Sequence, residues 1–540
     1  MHNGNQLAVE QEGPHIPQEL QDGVQVIVET KHGVLRGGRT TNGAAIFLEV
    51  PYALPPARFT DAQPLPVDYR YEDKDYIYET KHCYQPPNDG QAAGVHPVDR
   101  KGFGEPSENP LFVNIVSPPD LTSDSKYPVT VYIHGGSLQF GSPHEYFSQA
   151  QHAAVERKHV FVNIGYRLSV FGFLACDEPQ IDGNFGFKDQ WLALLWIQEN
   201  ITAFGGNPEN IRLTGLSAGA HSIHQILHHI ARLPDGQMSP IHTAILRSNA
   251  MLTIPKTPTE LRPQFGALCR SLNLNPKAPD ILDTLRDPAK VPAETLMHVI
   301  GMGKPDIEYS AYRGCLDGVW MSNDPDPMSW QRSGDLARKL REKGVKGIAI
   351  GDLPDEWYIY AIGHEVNSSR DVLPNLLRWY PRPVAEKLMS LYKTLPESAT
   401  AEEAKELMGI ILSDGQVHVP VRLFARDFQQ AGFPVFRYEI HWTPEQVRLG
   451  GLVTHGTDNY LWALRLPSMT AHEQEVALAW LDAVDQEFDI LSREGRQMRA
   501  LNQVLVLHED QTITWAEDKR WDRVMEIANA LPGADGVGSA

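Results

Sequence analysis

The 540-residue chain predicts an α/β fold: a mostly parallel central sheet, helices on both of its faces, and helical insertions over one edge. Two observations predict it. From residue 127 onward, β-branched runs alternate with segments of helical periodicity, the pattern of parallel strands joined by crossover helices. Ahead of these, the chain opens with short strand runs punctuated by glycine, the signature of hairpins.

The elements follow in order. Residues 24–29, 33–36 and 45–50 read as strands. Residues 55–110 are rich in proline and charge, contain no good helix, and are expected to wrap the surface. Residues 127–133 (YPVTVYI) form a strand ending at His134-Gly135-Gly136, and residues 160–165 (VFVNIG) form another, buried one. A helix is expected over 189–204, with Asp189 at its start and Leu192, Leu195 and Trp196 on one face. Residues 210–215 (NIRLTG) read as a short strand. A helix follows directly, with Ile223, Ile226, Leu227 and Ile230 at helical spacing. Later strands are expected at 244–246, 347–350 and 434–441. Residues 255–340 and 360–430 read as helical insertions over the carboxyl edge of the sheet.

Composition narrows the function. The chain is 42% hydrophobic and 21% charged, as in ordinary globular proteins. Its formal net charge of −20 repels phosphate backbones and argues against a nucleic-acid partner. The N-terminus has no apolar stretch behind a basic start, so no secretory signal is expected. No run of about 18 apolar residues occurs, so no membrane span is expected. Cys83, Cys176, Cys269 and Cys315 are widely spaced. That spacing argues against metal or redox motifs and for buried thiols.

Gly215-Leu216-Ser217-Ala218-Gly219 fits GxSxG between a strand and a helix. Such a turn lifts a serine above the sheet, and its glycines keep the crowded bend free of side chains. Chance supplies the pentapeptide in about one in five chains of this length, so its flanking strand and helix carry the weight. Upstream, VYIHGGS (131–137) ends a strand in a turn whose amides are the expected source of oxyanion donors.

The segment 183–220, GNFGFKDQWLALLWIQENITAFGGNPENIRLTGLSAGA, resembles the signature region of type-B carboxylesterases, the group that includes cholinesterases and fungal lipases. VPYALPPARF (50–59), SENPLFVNIVSP (107–118) and NIGYRLSVFGFL (163–174) resemble further family segments in the same order. The likeness spans roughly residues 24–525. It implies a single α/β-hydrolase domain over 23–530, no cofactor and no metal; the residue content of 1–22 and 531–540 reads as flexible ends.

The resemblance also implies the other catalytic groups. GDLPDEWYIY (351–360) stands where the family has an acidic turn, placing Glu356 as the triad acid, with Asp352 and Asp355 as competitors. Trp357 replaces the family glycine after it. Thr454-His455-Gly456-Thr457-Asp458 resembles the family's late histidine loop and marks His455. Ser217 is then the nucleophile. Gly136, Ser137 and Ala218 are the expected amide donors, with Gly135 shaping the turn. Leu138, Leu216 and His221 are expected to line the substrate pocket.

Several positions depart from the family pattern. Ser137-Leu138 stand for Gly-Phe, and Leu216 stands where a glutamate is frequent. No tryptophan occurs between Cys83 and Ser107, so the cation cage that choline esters need is missing. Pro110 and Thr284 stand for family cysteines, leaving Cys83 and Cys269 without partners; this suggests a cytoplasmic, reducing location. His224 and His228 have i, i+4 spacing, which suits zinc, but a polar helix face or pocket lining is the favoured assignment. Ser248 either supports the triad or caps the next turn.

The expected function is hydrolysis of a fairly apolar, non-cationic carboxylic ester through an acyl-enzyme on Ser217, with a small-molecule ester as partner. Acyltransfer, lactonase, thioesterase or amidase chemistry would use the same triad, including in tailoring a specialised metabolite. A non-catalytic binding protein on this fold is the remaining alternative. Oligomeric state is not legible.

Overall fold

Residues along the central strands divide alternately between two apolar clusters, and this sets the layers. The computed structural model describes residues 15–86, 104–301 and 311–531. Ala244, Leu246, Ile348 and Ile350 belong to one cluster, while Ile245 and Ala349 between them belong to another. Both faces of the sheet are therefore buried, as parallel strands require.

The main sheet has twelve strands among the described residues. They are β1 (Leu20–Thr30), β2 (Gly33–Thr40), β3 (Ala45–Pro51), β4 (Phe112–Ser117), β5 (Tyr127–Ile133) and β6 (Val160–Ile164). Then come β7 (Gly206–Leu216), β8 (Thr243–Arg247), β9 (Gly347–Asp352), β10 (Val435–Ile440), β11 (Gln503–Leu507) and β12 (Ile513–Glu517). Across the sheet the order is β1-β2-β3-β4-β6-β5-β7-β8-β9-β10-β11-β12. Neighbours from β6 to β11 pair in parallel; those at the two margins pair antiparallel.

The chain leaves β5 toward one side of the sheet and leaves its neighbour β7 toward the other. The carboxyl ends of β5 and β7 therefore flank a topological switch point, where open α/β sheets form their crevices.

The helices that matter for the site are α1 (Phe185–Asn200), α2 (Ala218–Ala231), α3 (Trp357–Gly363), α4 (Ala401–Ser413), α5 (Val419–Gln430) and α6 (Ala471–Glu494). Ile197 of α1 and Ile223, Ile226, Leu227 and Ile230 of α2 fill one cluster; Trp480, Val484 and Phe488 of α6 fill the other. Helix α4 lies in the insertion expected at 360–430 and packs on α3, which begins just before it, through Gly409 and Ala361.

Two expectations are corrected, both for helix α1. Helix α1 begins at Phe185, four residues before Asp189. Asp189 is fully buried within it and takes two 2.7 Å hydrogen bonds from the Arg167 guanidinium. Its buried face is Ala193, Leu194, Trp196 and Ile197, while Leu192 and Leu195 are half-buried. Parts of the two expected ends lie among the described residues. Ile16 is buried and its amide bonds Gln149 Oε1 at 2.6 Å, and Leu531 is buried as well. Residues 1–14 and 532–540 of the expected flexible ends lie outside the described residues.

Beneath the carboxyl end of β9 lies a buried ionic network. Arg422 of α5 is fully buried and binds Asp352 at 2.7 Å, Asp518 at 2.8 Å and Glu439 at 2.9 Å. Arg520 also binds Asp352, at 2.7 Å. Burial alone would raise the Asp352 carboxyl, but the two guanidiniums outweigh it and hold it well below the usual range.

Buried histidines carry a pH prediction. Burial pushes His224 down to about 3 and His229 to about 4, and His228 well below 6.5. The unfolded chain protonates these rings near pH 6.5, whereas the native chain resists. Below about 6.5 the unfolded state binds more protons, so stability falls as pH falls, by up to ~1.4 kcal/mol per pH unit for each ring. Urea unfolding at pH 7.5, 6.5 and 5.5 should show this decline, and His228→Leu should flatten it.

Candidate active site

Strand β7 delivers Ser217 at φ 57° and ψ −121°, a strained conformation for a residue with a side chain. The two flanking glycines permit it. A Cβ on Gly215 would lie 2.6 Å from the Gly219 carbonyl carbon, and one on Gly219 would collide with the Ile133 carbonyl oxygen. The Ser217 amide is anchored by donating to the Arg247 carbonyl at 2.8 Å. Its own carbonyl accepts from His221 as α2 begins.

The turn after β5 lies against this bend. A Cβ on Gly135 would sit 2.9 Å from the Leu216 carbonyl oxygen and 3.2 Å from Ser217 Cβ. Gly136, Ser137 and Leu138 then take φ values of 99°, 57° and 65°. The amides of Gln139 and Phe140 close the turn by donating to the Gly136 carbonyl, both at 2.9 Å. Among the described residues, the amides of Gly136, Ser137 and Ala218 donate to no protein acceptor. The turn thus leaves donors uncommitted beside Ser217.

Glu356 and His455 come together from β9 and the late loop. His455 Nδ1 lies 2.6 Å from Glu356 Oε2, and Glu356 is fully buried. Its other oxygen accepts from the Leu353 amide at 3.1 Å. The competing acids are engaged elsewhere. Asp352 is held by Arg422, Arg520 and His418. Asp355 fastens the histidine loop: Oδ2 accepts from the Val453 amide at 3.2 Å, and its carbonyl accepts from Thr454 Oγ1 at 2.6 Å. Trp357, replacing a glycine, is the first residue of α3.

The histidine loop is tied to the Ser217 bend from two sides. A Cβ on Gly456 would lie 3.5 Å from Leu216 Cδ2. Arg247, whose carbonyl holds Ser217, pairs through its side chain with Asp458 at 3.0 Å and Asn459 at 2.6 Å.

The remaining positions lie around this bend. Leu138 and Leu216 are buried. His221 is half-buried, with its ring 6.2 Å from Phe187; burial, aided by the charge of Arg313, pushes it down to about 4. Tyr360 of α3 places its ring 6.2 Å from that of His455. Ser248 is buried at φ 56°, its amide donating to the Gly351 carbonyl at 2.8 Å. His224 stacks on His228 with centroids 5.2 Å apart, and its Nδ1 accepts from the Met251 amide. Among the described residues no three His, Cys, Asp or Glu side chains group as a metal site. Most of the stretch between Cys83 and Ser107, residues 87–103, lies outside the described residues. A small cleft of about 80 Å³ lies against the sheet, lined by Tyr132, Arg212 and Leu481 among others.

Sequence reasoning missed Arg247 and Gln139, and considered Asp355 only as a rival acid. A basic residue ending β8 gives no local hint of a partner more than 200 positions away. Gln139 follows the glycine turn directly, which was the one available signal.

The family model for carboxylesterases matches residues 24–480. The chain belongs to the carboxylesterase family. A carboxylic ester hydrolase of Gibberella moniliformis is 31% identical over 76% of this chain and 78% of its own length. An uncharacterized esterase/lipase of Schizosaccharomyces pombe is 28% identical over 91% and 93%. A solved PNB esterase superposes with a TM-score of 0.70 at 24% identity, covering 93% of this chain and 99% of its own; it supports the α/β-hydrolase fold. This carboxylesterase is thus a carboxylic-ester hydrolase. No helix among the described residues is long and apolar enough to cross a membrane. All four cysteines are free thiols.

Two substitutions test the bend. Gly219→Ala, normally favourable in a helix by about 1 kcal/mol, should instead lower the melting temperature markedly by forcing Ile133 away. Ser137→Gly should preserve or raise stability, by up to about 1 kcal/mol. It should also keep ester turnover within a few-fold, because the donor is backbone.

Proposed function

We propose that this carboxylesterase cleaves its ester through an acyl-enzyme on Ser217, with His455 as base and Glu356 as the acid that orients it. The observation that carries this is the 2.6 Å Nδ1–Oε2 contact in a loop fastened to the Ser217 bend. A ring hydrogen-bonded at Nδ1 keeps Nε2 as the acceptor for a serine proton. Ser217 Oγ attacks the carbonyl carbon as His455 takes its proton. The ester C–O bond breaks, and His455 returns that proton to the leaving alcohol. Water, deprotonated by the same ring, then releases the acid.

The amides of Gly136, Ser137 and Ala218 suit the developing oxyanion, and Gly135 provides the space for the turn to approach Ser217. Each such donor is worth about 100- to 1000-fold in rate. Leu138, Leu216 and the half-buried, neutral His221 favour a fairly apolar, non-cationic ester. The four free thiols fit a reducing location inside the cell.

With p-nitrophenyl butyrate, Ser217→Ala should abolish turnover and block labelling by an organophosphonate, read by peptide mass spectrometry. Unchanged turnover or labelling elsewhere would overturn the assignment. Glu356→Gln should lower kcat by about 10⁴-fold, while Asp352→Asn should act chiefly on unfolding free energy.

A further inference from the structure

The side chain of Gln139 lies behind the turn that follows β5. It is fully buried. Its Nε2 donates to the Ser137 carbonyl at 3.2 Å and to the Tyr312 carbonyl at 2.5 Å, while its Oε1 has no partner. Both neighbours of the nitrogen are carbonyl oxygens, so chemistry fixes the orientation of the amide. A buried amide oxygen without a partner is destabilising. What the residue contributes here is its two N–H groups.

One end of this brace is a fixed post. Side-chain amides clasp the segment 311–315. Gln264 Nε2 donates to the Ala311 carbonyl at 3.1 Å. Asn184 donates to the Cys315 carbonyl and accepts from its amide, each at 2.9 Å. The Tyr312 carbonyl lies between these clasps. The other end is a strained turn. Gly136, Ser137 and Leu138 all have positive φ, and the Gly136 carbonyl accepts from the Gln139 and Phe140 amides. Side chains disfavour this left-handed conformation, so Ser137 and Leu138 need anchors. The anchors are on the carbonyls: that of Leu138 accepts from the Ser169 amide at 2.8 Å, and that of Ser137 accepts from Gln139. The amides of Gly136, Ser137 and Leu138 donate to no protein acceptor among the described residues. Peptide units are planar, so pinning the carbonyls directs the amides. The Gly136 carbonyl sets the Ser137 N–H, and the Ser137 carbonyl, held by Gln139, stops Ser137 from rotating.

Building on the oxyanion assignment above, we propose that Gln139 is a positioning residue for the reaction. Its side chain braces the turn against the Tyr312 carbonyl and so holds the Ser137 amide where negative charge develops.

The test compares two ketones as inhibitors of p-nitrophenyl butyrate hydrolysis. With 1,1,1-trifluorodecan-2-one, Ser217 Oγ adds to the carbonyl carbon, its proton passes to His455, and the carbonyl π pair becomes the oxyanion. Decan-2-one binds without adding. The ratio of their inhibition constants therefore reads oxyanion stabilisation apart from binding of the alkyl chain. The wild-type enzyme should favour the trifluoromethyl ketone at least about 100-fold. Gln139→Met, of similar length but without N–H groups, should lower that preference about 10- to 100-fold, and kcat/KM by the same factor. Decan-2-one should bind it within a few-fold of wild type. An unchanged preference in the folded variant overturns the proposal, since a glutamine that only supports the fold would lower the melting temperature and leave the ratio alone. Gln139→Asn, whose amide is one methylene short of spanning both carbonyls, should lie between the two. Should neither variant fold, a crystal structure of the wild-type adduct decides. Nε2 should bond the Ser137 carbonyl with the adduct oxygen on the Ser137 amide; an oxygen so held with Nε2 turned away from Ser137 overturns the proposal. Failure of the oxyanion assignment itself would show differently, as equal inhibition of the wild type by the two ketones.

Discussion

The carbonyl oxygen of Ile133, at the end of β5, occupies the place where a Cβ on Gly219 would be. That contact sets how near α2 can start to β5. With glycine there, the first turn of α2 beds directly onto the end of the neighbouring strand. The amide of Ala218 and those of the turn after β5 then border one crevice. The same approach forces Ser217 into its positive φ, a cost of about 1–3 kcal/mol. The hydrogen bond to the Arg247 carbonyl and the packing of the α2 isoleucines hold it in place. The β6-β5-β7 strand order provides the crevice, and absent side chains allow it to close around a serine.

The acid side is organised by charge rather than by close approach. Asp352 ends β9 in contact with Arg422, Arg520 and His418, and a buried network of this kind loses about 3–5 kcal/mol when one partner is removed. An acid so engaged is poorly placed to serve a histidine. Asp355, one residue before Glu356, is committed to the backbone of the loop that carries His455. Of three neighbouring acids, one fixes the strand end, one fastens the loop, and Glu356 takes the ring. Arg247 adds a tie of its own, holding Ser217 through its carbonyl and Asp458 through its guanidinium.

What the sequence revealed follows from where the information is local. Strands at 127–133 and 347–350, and the apolar stripe of α2, declare themselves by period alone. GxSxG and the two-glycine turn do so because backbone geometry demands particular residues at fixed offsets. The helix around Asp189 misled because it is buried on most sides: its apolar spacing names no single face, and a buried Asp paired with Arg167 looks like a cap. Strands β4, β11 and β12 were not assigned. Phe112–Ser117 follows a proline-rich stretch, and β12 is only partly buried, so neither shows a clean alternation. Arg247–Asp458 and His455–Glu356 join positions 211 and 99 residues apart, and no local pattern reports such pairs. His455 and Glu356 became legible through family resemblance, whereas Arg247 did not.

The altered turn after Glu356 shows how a family position can change without displacing its neighbour. Where the family has glycine, Trp357 opens α3, and Glu356 itself sits at φ −55° and ψ −28°, a conformation open to any residue. Trp357 is itself helical with no positive φ, so its backbone does not require glycine. The demand for space recurs one layer out. A Cβ on Gly409 of α4 would lie 2.5 Å from the Trp357 carbonyl oxygen and 3.0 Å from Ala361 Cβ. Helix α4 thus comes close to the start of α3 by having no side chain there, and α3 in turn sets Tyr360 beside His455. The acid turn and the insertion thus meet closely at Gly409. The insertion is in this respect more than a cover over the sheet, because its packing helps fix the direction in which the acid turn delivers its carboxylate.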